Sequence, residues 1–376
     1  MNRISLLIGC KNNLEYTINF YNTTRAIYPD VEIVFVSYGS TDGTHDWLDL
    51  VSSHDHNLKV YHSDIAMTLS DTYNMAAKIA TKEYVMHCHN DMVLGHGFLE
   101  NISKYLAPKT SVSYTTIEPP IFGWHERPGK VVKDFGSNIE SFDQRSFEIA
   151  VKEIQLARMG KTSEGWAAFS CMSRQEYLDM GGMDNLFNPM FCEDDDLLLR
   201  LKLAEYKLIV SLDAICYHFV SKSSRFDPEI KNKTQQFEIN SNRNFIRKWR
   251  FRHSMYNKSV PLGIQFEWVN APIENIITFI ISELEPFADH IYYDSKISES
   301  IDTYLKSEQP NTKINLLDKF MPNIEPIKED MYLTIKINNR FHEIMPLIVM
   351  IQDIITVNVP ASGLYELNDL ITLTVK

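Results

Sequence analysis

The sequence predicts an α/β fold, a mostly parallel sheet flanked by helices, followed by a smaller C-terminal α+β domain. Three observations lead there. Short apolar runs alternate with helical patterns through the first part of the chain, and that alternation indicates right-handed βαβ units and a mostly parallel sheet covered on both faces. Polar loops follow several of these runs, at the ends where such sheets bind ligands. Breaks at Pro261-Leu262-Gly263 and Pro272 then precede a stretch with helix and strand patterns of its own.

Taken in order, Ile4 to Gly9 is a buried strand, Lys11-Asn12-Asn13 a loop and Leu14 to Ile27 a helix. Val31 to Val36 is a strand, Gly39-Ser40-Thr41-Asp42-Gly43 a turn and Thr44 to Val51 a helix. Leu58 to Tyr61 is a strand, Leu69 to Ala80 a helix and Tyr84 to Cys88 a strand. The loops Gly9 to Asn13, Ser37 to Thr44 and His87 to Leu94 therefore share one sheet edge. The second, with two glycines, small hydroxyls and a helix start, suits a nucleotide, although Ser, Asp and Gly also form ordinary turns. The third sets Asp91 after a buried strand, in place to hold magnesium or manganese, with His89 or His218 adding a nitrogen. A surface loop whose histidines cap a strand is the alternative.

From Glu118 to Glu164 the alternation dissolves, apart from a helical stretch from Phe142 to Met159. Trp124, His125, Trp166 and Tyr217 are candidates to stack on a ligand, or else core aromatics. Gly181-Gly182 opens an aromatic loop that leads to Glu193-Asp194-Asp195-Asp196 and the apolar run beginning at Leu197. Acids at a helix start favour its unsatisfied amides and dipole. Four in a row after that loop also fit a catalytic or metal-binding cluster. Arg243 to His253 reads as a closing helix that packs its aromatics and solvates its arginines, or as a segment for an anionic membrane. Beyond Pro272, helices are expected around Ile273 to Tyr292 and Ser298 to Ser307, and strands at Tyr332 to Ile337, Ile354 to Val359 and Leu370 to Val375.

The 376 residues carry a net charge of −12, which argues against a nucleic-acid partner. No run approaches the roughly 18 to 20 apolar residues of a membrane helix. The N-terminal apolar stretch is too short for a secretory signal, so a cytoplasmic chain is expected. The cysteines, Cys10, Cys88, Cys171, Cys192 and Cys216, are odd in number and mostly inside apolar runs, which predicts reduced core thiols.

Several motifs stand in one order: Ile4 to Asn12, Val34 to Thr44, Tyr73-Asn74, His89-Asn-Asp-Met92 with Gly97-Phe98-Leu99, Gly181-Gly-Met-Asp184, Glu193 to Arg200, and Asn244 to Trp249. Together they resemble family 2 glycosyltransferases of the GT-A fold over about residues 1 to 255. The resemblance implies a nucleotide-sugar donor (a UDP-sugar first), a divalent cation (Mn2+ or Mg2+) and an inverting transfer. By position it assigns the metal to Asp91 and His218, the general base to Asp194, and an orienting role to Glu193. Donor contacts fall on Cys10, Asn12, Ser37, Gly39, Ser40, Asp42, Asn74 and Asn90, with Lys222 and Arg225 closing over the phosphates. Trp124 and Trp166 are the acceptor-wall candidates, and the acceptor is a glycan, a lipid-linked molecule or a protein. Ser37 replaces a usual aspartate, Gly9-Cys10-Lys11 a usual Pro-Thr-Tyr-like loop, and His89 a frequent first acid of the metal motif. The Gln-x-x-Arg-Trp signature of processive synthases is absent, so transfer of a single sugar is expected. The alternatives are a non-catalytic nucleotide-sugar or glycan-binding protein on the same fold, and a nucleotidyltransferase. The expected domains are residues 1–257 and an accessory domain 258–376, for homo-oligomerisation, acceptor recognition or peripheral docking.

Overall fold

A computed structural model describes residues 3–65, 67–220, 232–252, 260–272, 275–323, 326–357 and 360–376. The chain forms two compact units, Met1–Phe237 and Glu238–Lys376.

The first unit begins β1 (Ile4–Cys10), α1 (Leu14–Ile27), β2 (Glu32–Tyr38), α2 (Thr44–Ser52), β3 (Leu58–Ser63), α3 (Leu69–Ile79) and β4 (Tyr84–His89). It continues β5 (Met92–Leu94), α4 (Phe98–Ser103), β6 (Thr110–Glu118), β7 (Lys130–Val132), α5 (Gln144–Arg158), β8 (Thr162–Glu164), β9 (Ser170–Ser173), α6 (Arg174–Asp179), α7 (Glu193–Leu203) and β10 (Lys207–His218). The main sheet runs β3-β2-β1-β4-β9-β6-β10-β5, with β7 beside β6 and β8 beside β10. From β3 to β4 all pairs are parallel, and β6 runs parallel to β10. β9 is antiparallel to both β4 and β6, and β5 to β10.

Strands β1, β2 and β4 are almost wholly buried, as apolar runs covered on both faces must be. One face packs Leu6, Ile8, Phe20, Phe35 and Phe98. The other packs Leu7, Val34, Tyr73, Val85, Leu197 and Leu201 under α3 and α7. At Gly9 any side chain would strike the Thr72 hydroxyl of α3, so this glycine allows a close helix–strand approach. All five cysteines are buried. Among the described residues no helix is long and apolar enough to cross a membrane.

The helix α8 (Thr234–Trp249) lies mostly in the second unit, followed by β11 (Leu262–Trp268), α9 (Ile277–Leu284), β12 (His290–Tyr293), α10 (Ser298–Glu308), β13 (Phe320–Pro322), β14 (Met331–Ile337), α11 (Ile348–Thr356), β15 (Gly363–Glu366) and β16 (Ile371–Val375). Its sheet order is β13-β12-β11-β14-β16-β15, parallel through β14 and antiparallel in the last two strands.

Several expectations for this unit are corrected. Leu262 and Gly263, part of the Pro-Gly break, open β11 inside the second sheet; Gly263 is glycine because the Glu329 carboxylate sits 2.7 Å from where a Cβ would be. The residues 290 to 292, read as helix, are strand β12. Ile354 to Thr356, read as strand, end α11, where Ile348, Ile351 and Ile355 are buried at helical spacing; Asn358 and Val359 lie outside the described residues. The arginines of α8 are not solvated. Arg247, 2% exposed, meets Glu285 at 2.7 Å and Glu308 at 2.5 Å, and Arg243 meets Glu308 at 2.7 Å. Lys319 (2.6 Å) and the Tyr304 hydroxyl (2.6 Å) complete the shell around Glu285. Burial alone would raise the Glu285 carboxyl, but Lys319 and Arg247 outweigh it and hold it far below the usual range.

Removing one member of such a buried network leaves the others uncompensated. Glu285→Gln is expected to cost on the order of 3 kcal/mol in urea unfolding of the second unit. A chain cut after Asn257 keeps Arg243 and Arg247 without Glu285 and Glu308, so it should be less soluble and less stable than one cut after Phe237, as read by thermal melting.

Candidate active site

Two loops at the carboxyl edge of the parallel strands are laced together. Asn12 and Asn13 adopt positive φ of 54° and 59°, which asparagine tolerates better than most residues. The Asn12 amide donates to Ser40 Oγ (2.9 Å), and its side-chain oxygen accepts from Thr41 N (2.8 Å). Asp42 accepts from Leu14 N at the start of α1 (2.9 Å) and from Thr44 N at the start of α2 (3.1 Å). Burial alone would raise the Asp42 carboxyl, but hydrogen bonds from Thr44 and Leu14 bring it below its ordinary value. Ser37 is fully buried, with its Oγ 3.0 Å from Ser40 Oγ. Cys10 is a core thiol pushed up to about 12 by burial. Gly39, at φ 55°, has open space where a side chain would stand.

Asn74 and Asn90 also serve the scaffold. The Asn74 amide donates to Met183 O (2.8 Å) and accepts from Met183 N (2.9 Å) and the Tyr177 hydroxyl (2.8 Å). Its oxygen fills the space beside Gly182. Asn90, buried, donates to Thr17 Oγ1 on α1 (3.1 Å).

Further along the same edge, strand ends bring together residues far apart in the chain. His89 Nδ1 lies 3.7 Å from Asp91 Oδ1, His218 Nε2 lies 3.4 Å from the same oxygen, and the two imidazole nitrogens are 3.4 Å apart. The three ligand atoms lie within 4.8 Å of one another. Ligand atoms around a shared first-row cation stand roughly 3.0–3.5 Å apart, so the donor set fits a divalent ion. The other ring nitrogen of His218 meets Glu118 Oε1 at 3.2 Å, and Glu118 Oε2 meets Lys130 Nζ at 2.8 Å. Burial alone would lower His218, but Asp91 and Glu118 outweigh it and push it up to about 9. Positive charge is therefore favoured at this point, as a proton on Nε2 or as a cation in its place. His89 is pulled down to about 4, first by burial, and stays neutral as a ligand must. Burial opposes the charge on Glu118 as well, yet His218 and Lys130 bring it down to about 2.

The four acids open α7. Phe191 and Cys192 precede them at φ 76° and 64°, two consecutive non-glycine residues in a sparsely populated region that clusters at functional sites. The Cys192 side chain makes no capping hydrogen bond at the helix start; the loop is tied to α3, through Asn188 Oδ1 to Thr68 Oγ1 (2.7 Å) and Pro189 O to Leu69 N (3.4 Å). The acids then diverge. Asp196, fully buried, pairs with Arg200 (2.8 Å), whose guanidinium also holds Met180 O and Gly182 O at 2.8 and 2.6 Å. Glu193 is 6% exposed, and its Oε2 has no hydrogen-bond partner among the described residues. Burial first, then Asp194, pushes its carboxyl well above the usual range. Asp194 is half-buried, with Oδ1 accepting from Asp195 N (2.9 Å). Tyr73, a buried residue of α3, donates its hydroxyl to Cys88 O (3.0 Å) on β4.

Residues 5–174 match the Glycosyl transferase family 2 description. They are a family 2 glycosyltransferase domain. The match ends before α7 and β10, so Glu193, Asp194 and His218 stand beyond it. No curated protein matches the chain. Similar solved structures include GalNAc-T7 with UDP, GalNAc and Mn2+ (10% identity, TM-score 0.46, covering 65% of this chain and 47% of that one). The mannosyltransferase PcManGT from Pyrobaculum calidifontis, in complex with GDP-Man and Mn2+, gives 16%, 0.42, 67% and 62%. S. aureus TarS 1-349 gives 13%, 0.43, 82% and 90%. The chain thus spans less than two thirds of the first two.

The aromatic candidates separate. Trp124 is 71% exposed on the segment between β6 and β7, with His125 exposed beside it. Trp166 packs against the core under α3 and α7, with Lys202 Nζ 5.6 Å from its ring centre. Tyr217 is corrected to a core residue: it is fully buried and its hydroxyl donates to Gly136 O (2.7 Å). Lys222 and Arg225 lie outside the described residues. Two charged residues escaped the sequence reading. Glu118 backs His218, and Arg127 partly opposes the burial that pushes the Asp195 carboxyl above its ordinary value. The position of Glu118 at the end of the buried strand β6, like that of Asp91 after β4, was the available signal.

The acids of α7 should separate by stability. Asp196→Asn is expected to cost on the order of 2–4 kcal/mol in urea unfolding, because Arg200 and the Gly181-Gly182 turn lose their anchor. Asp194→Asn should leave the unfolding midpoint nearly unchanged.

Proposed function

We propose that the chain is a cation-dependent glycosyltransferase that moves a single sugar from a nucleotide-diphosphate sugar to an acceptor hydroxyl, with inversion at the anomeric carbon. The observation that carries this reading is the convergence of His89, Asp91 and His218 at the carboxyl edge of a family 2 domain. These three would hold the cation, whose chemistry is to offset charge on the leaving diphosphate. Two imidazole nitrogens and one carboxylate oxygen suit Mn2+ better than Mg2+, which prefers oxygen ligands. Gly39 and the neighbouring Ser40 turn would face the donor, a UDP-sugar in the first instance, and Lys222 and Arg225 would add positive charge at its phosphates.

Inversion requires one carboxylate to take the acceptor proton as the oxygen attacks. Asp194 has the exposure for it. Glu193, whose carboxyl is pushed well above the usual range by burial and by Asp194, would orient the acceptor by hydrogen bonding, and would do so as a donor when neutral. Trp124 would supply an acceptor face, and the second unit would serve acceptor recognition, oligomerisation or docking.

A nucleotide-sugar thermal-shift screen tests the reading, with Mn2+ expected to stabilise the donor complex more than Mg2+. Asp91→Asn should abolish the cation-dependent part of that shift; an unchanged shift removes Asp91 from the cation. Asp194→Asn should keep donor and cation affinity while turnover falls about 100 to 10,000-fold. Release of nucleoside diphosphate and inverted configuration in the product, read by NMR, are the expected chemistry. Pyrophosphate release would point to nucleotidyl transfer, and a retained configuration would rule out single displacement.

A further inference from the structure

The side of His218 turned away from Asp91 carries chemistry that the transfer reaction does not use. Glu118 ends β6, and its Oε1 lies 3.2 Å from His218 Nδ1. It is itself held from two further sides, by Lys130 Nζ on β7 at 2.8 Å and by the Thr116 hydroxyl, which donates to Oε1 at 3.1 Å. The pairing of β6 with β7 sets Glu118 opposite Val132 and Thr116 opposite Lys130, so the carboxylate has little freedom to turn away. The Glu118 side chain is 13% exposed and that of His218 8%. An imidazole can offer a lone pair at Nε2 only when its proton is on Nδ1, and a carboxylate accepting from Nδ1 fixes that tautomer and the ring angle.

Resting on the cation reading above, we propose that Glu118 is a positioning residue for the cation site: it accepts the Nδ1–H of His218 and so holds Nε2 open toward Asp91 and His89. Lys130 holds Glu118 in place. The same residue anchors the segment between β6 and β7, since Lys133 N donates to Glu118 O (3.0 Å) just past β7. The cation site and the loop bearing Trp124 and Arg127 therefore share one anchor.

The test is Mn2+ affinity in the absence of any donor, read from the electron paramagnetic resonance of free Mn2+ with the full-length chain. Wild type, Asp91→Asn, Glu118→Gln and Glu118→Ala are compared. Loss of an outer carboxylate from a metal-bound histidine typically weakens binding about 10 to 100-fold, which is the expectation for Glu118→Ala. Glu118→Gln keeps an oxygen that accepts from Nδ1 and should fall between wild type and the alanine variant. In Zn2+-loaded protein, nitrogen NMR should place the His218 proton on Nδ1, with that signal lost in Glu118→Ala. Equal Mn2+ affinity in wild type and both Glu118 variants, with binding abolished by Asp91→Asn, overturns the role of Glu118 and leaves the cation site standing. Binding that wild type lacks, or that survives Asp91→Asn, overturns the cation site and the role of Glu118 with it.

Discussion

The site depends on the register between two short strand segments. β5 pairs with the end of β10 so that His218 faces Met92, Tyr217 faces Val93 and Cys216 faces Leu94. Phe219 N then donates to Asp91 O (2.9 Å). This pairing brings His218 to Asp91 across 127 positions of sequence, 218 less 91. Because side chains alternate along a strand, a slip of one residue would turn His218 into the core and bring Tyr217 out to the edge. The register is held from both sides. Tyr217 is locked in an aromatic cluster with Phe135, Phe142, Phe147 and Phe219, and the parallel pairing with β6 sets Tyr217 opposite Ile117. Core packing on one face thus fixes chemistry on the other.

The same logic explains how the molecule treats buried charge. Glu118 and Glu285 are both carboxylates in poor solvent, and both are surrounded by cations and donors close enough to keep them ionised. Such arrangements answer the cost of removing a charge from water. Glu193 is treated differently. It is equally buried, it has a carboxylate oxygen without a hydrogen-bond partner among the described residues, and its near neighbours are other acids. A helix start gives partial relief through its dipole, yet two left-handed residues were needed to bring that helix start to this place. Local rules broken together at one position are what a functional site looks like in an otherwise consistent fold.

What the sequence made legible follows from what is local. The βαβ units could be read from period and length alone, and the carboxyl-edge loops follow from the unit itself. Asp91 and His218 were found because each follows an apolar strand. Glu118 ends a buried strand rich in Thr and Ser, and its value lies in a contact with His218 100 positions on, a contact set by strand order. Arg247 looked like surface charge on an amphipathic helix because its partner Glu285 comes 38 positions later. Ile354 to Val359 suggested a strand because β-branched residues cluster there, although Ile354 to Thr356 end α11, whose burial follows the helical period.

The donor loops sharpen this distinction. Asn12, Ser40 and Asp42 carry the family resemblance, and all three direct side-chain atoms at the loops themselves. Asn74 likewise joins α3 to the Gly182-Met183 turn. A motif of this kind records how a binding edge is built as much as what touches a ligand. With Ser37 buried against Ser40 and Cys10 in the core, the open place in the second loop is beside Gly39, where no atom lies within 4 Å of the position of a side chain. In the proposed function, discrimination among nucleotides would then have to come from residues that the motif does not name, and substitutions within the motif should first be judged by the loop they hold together.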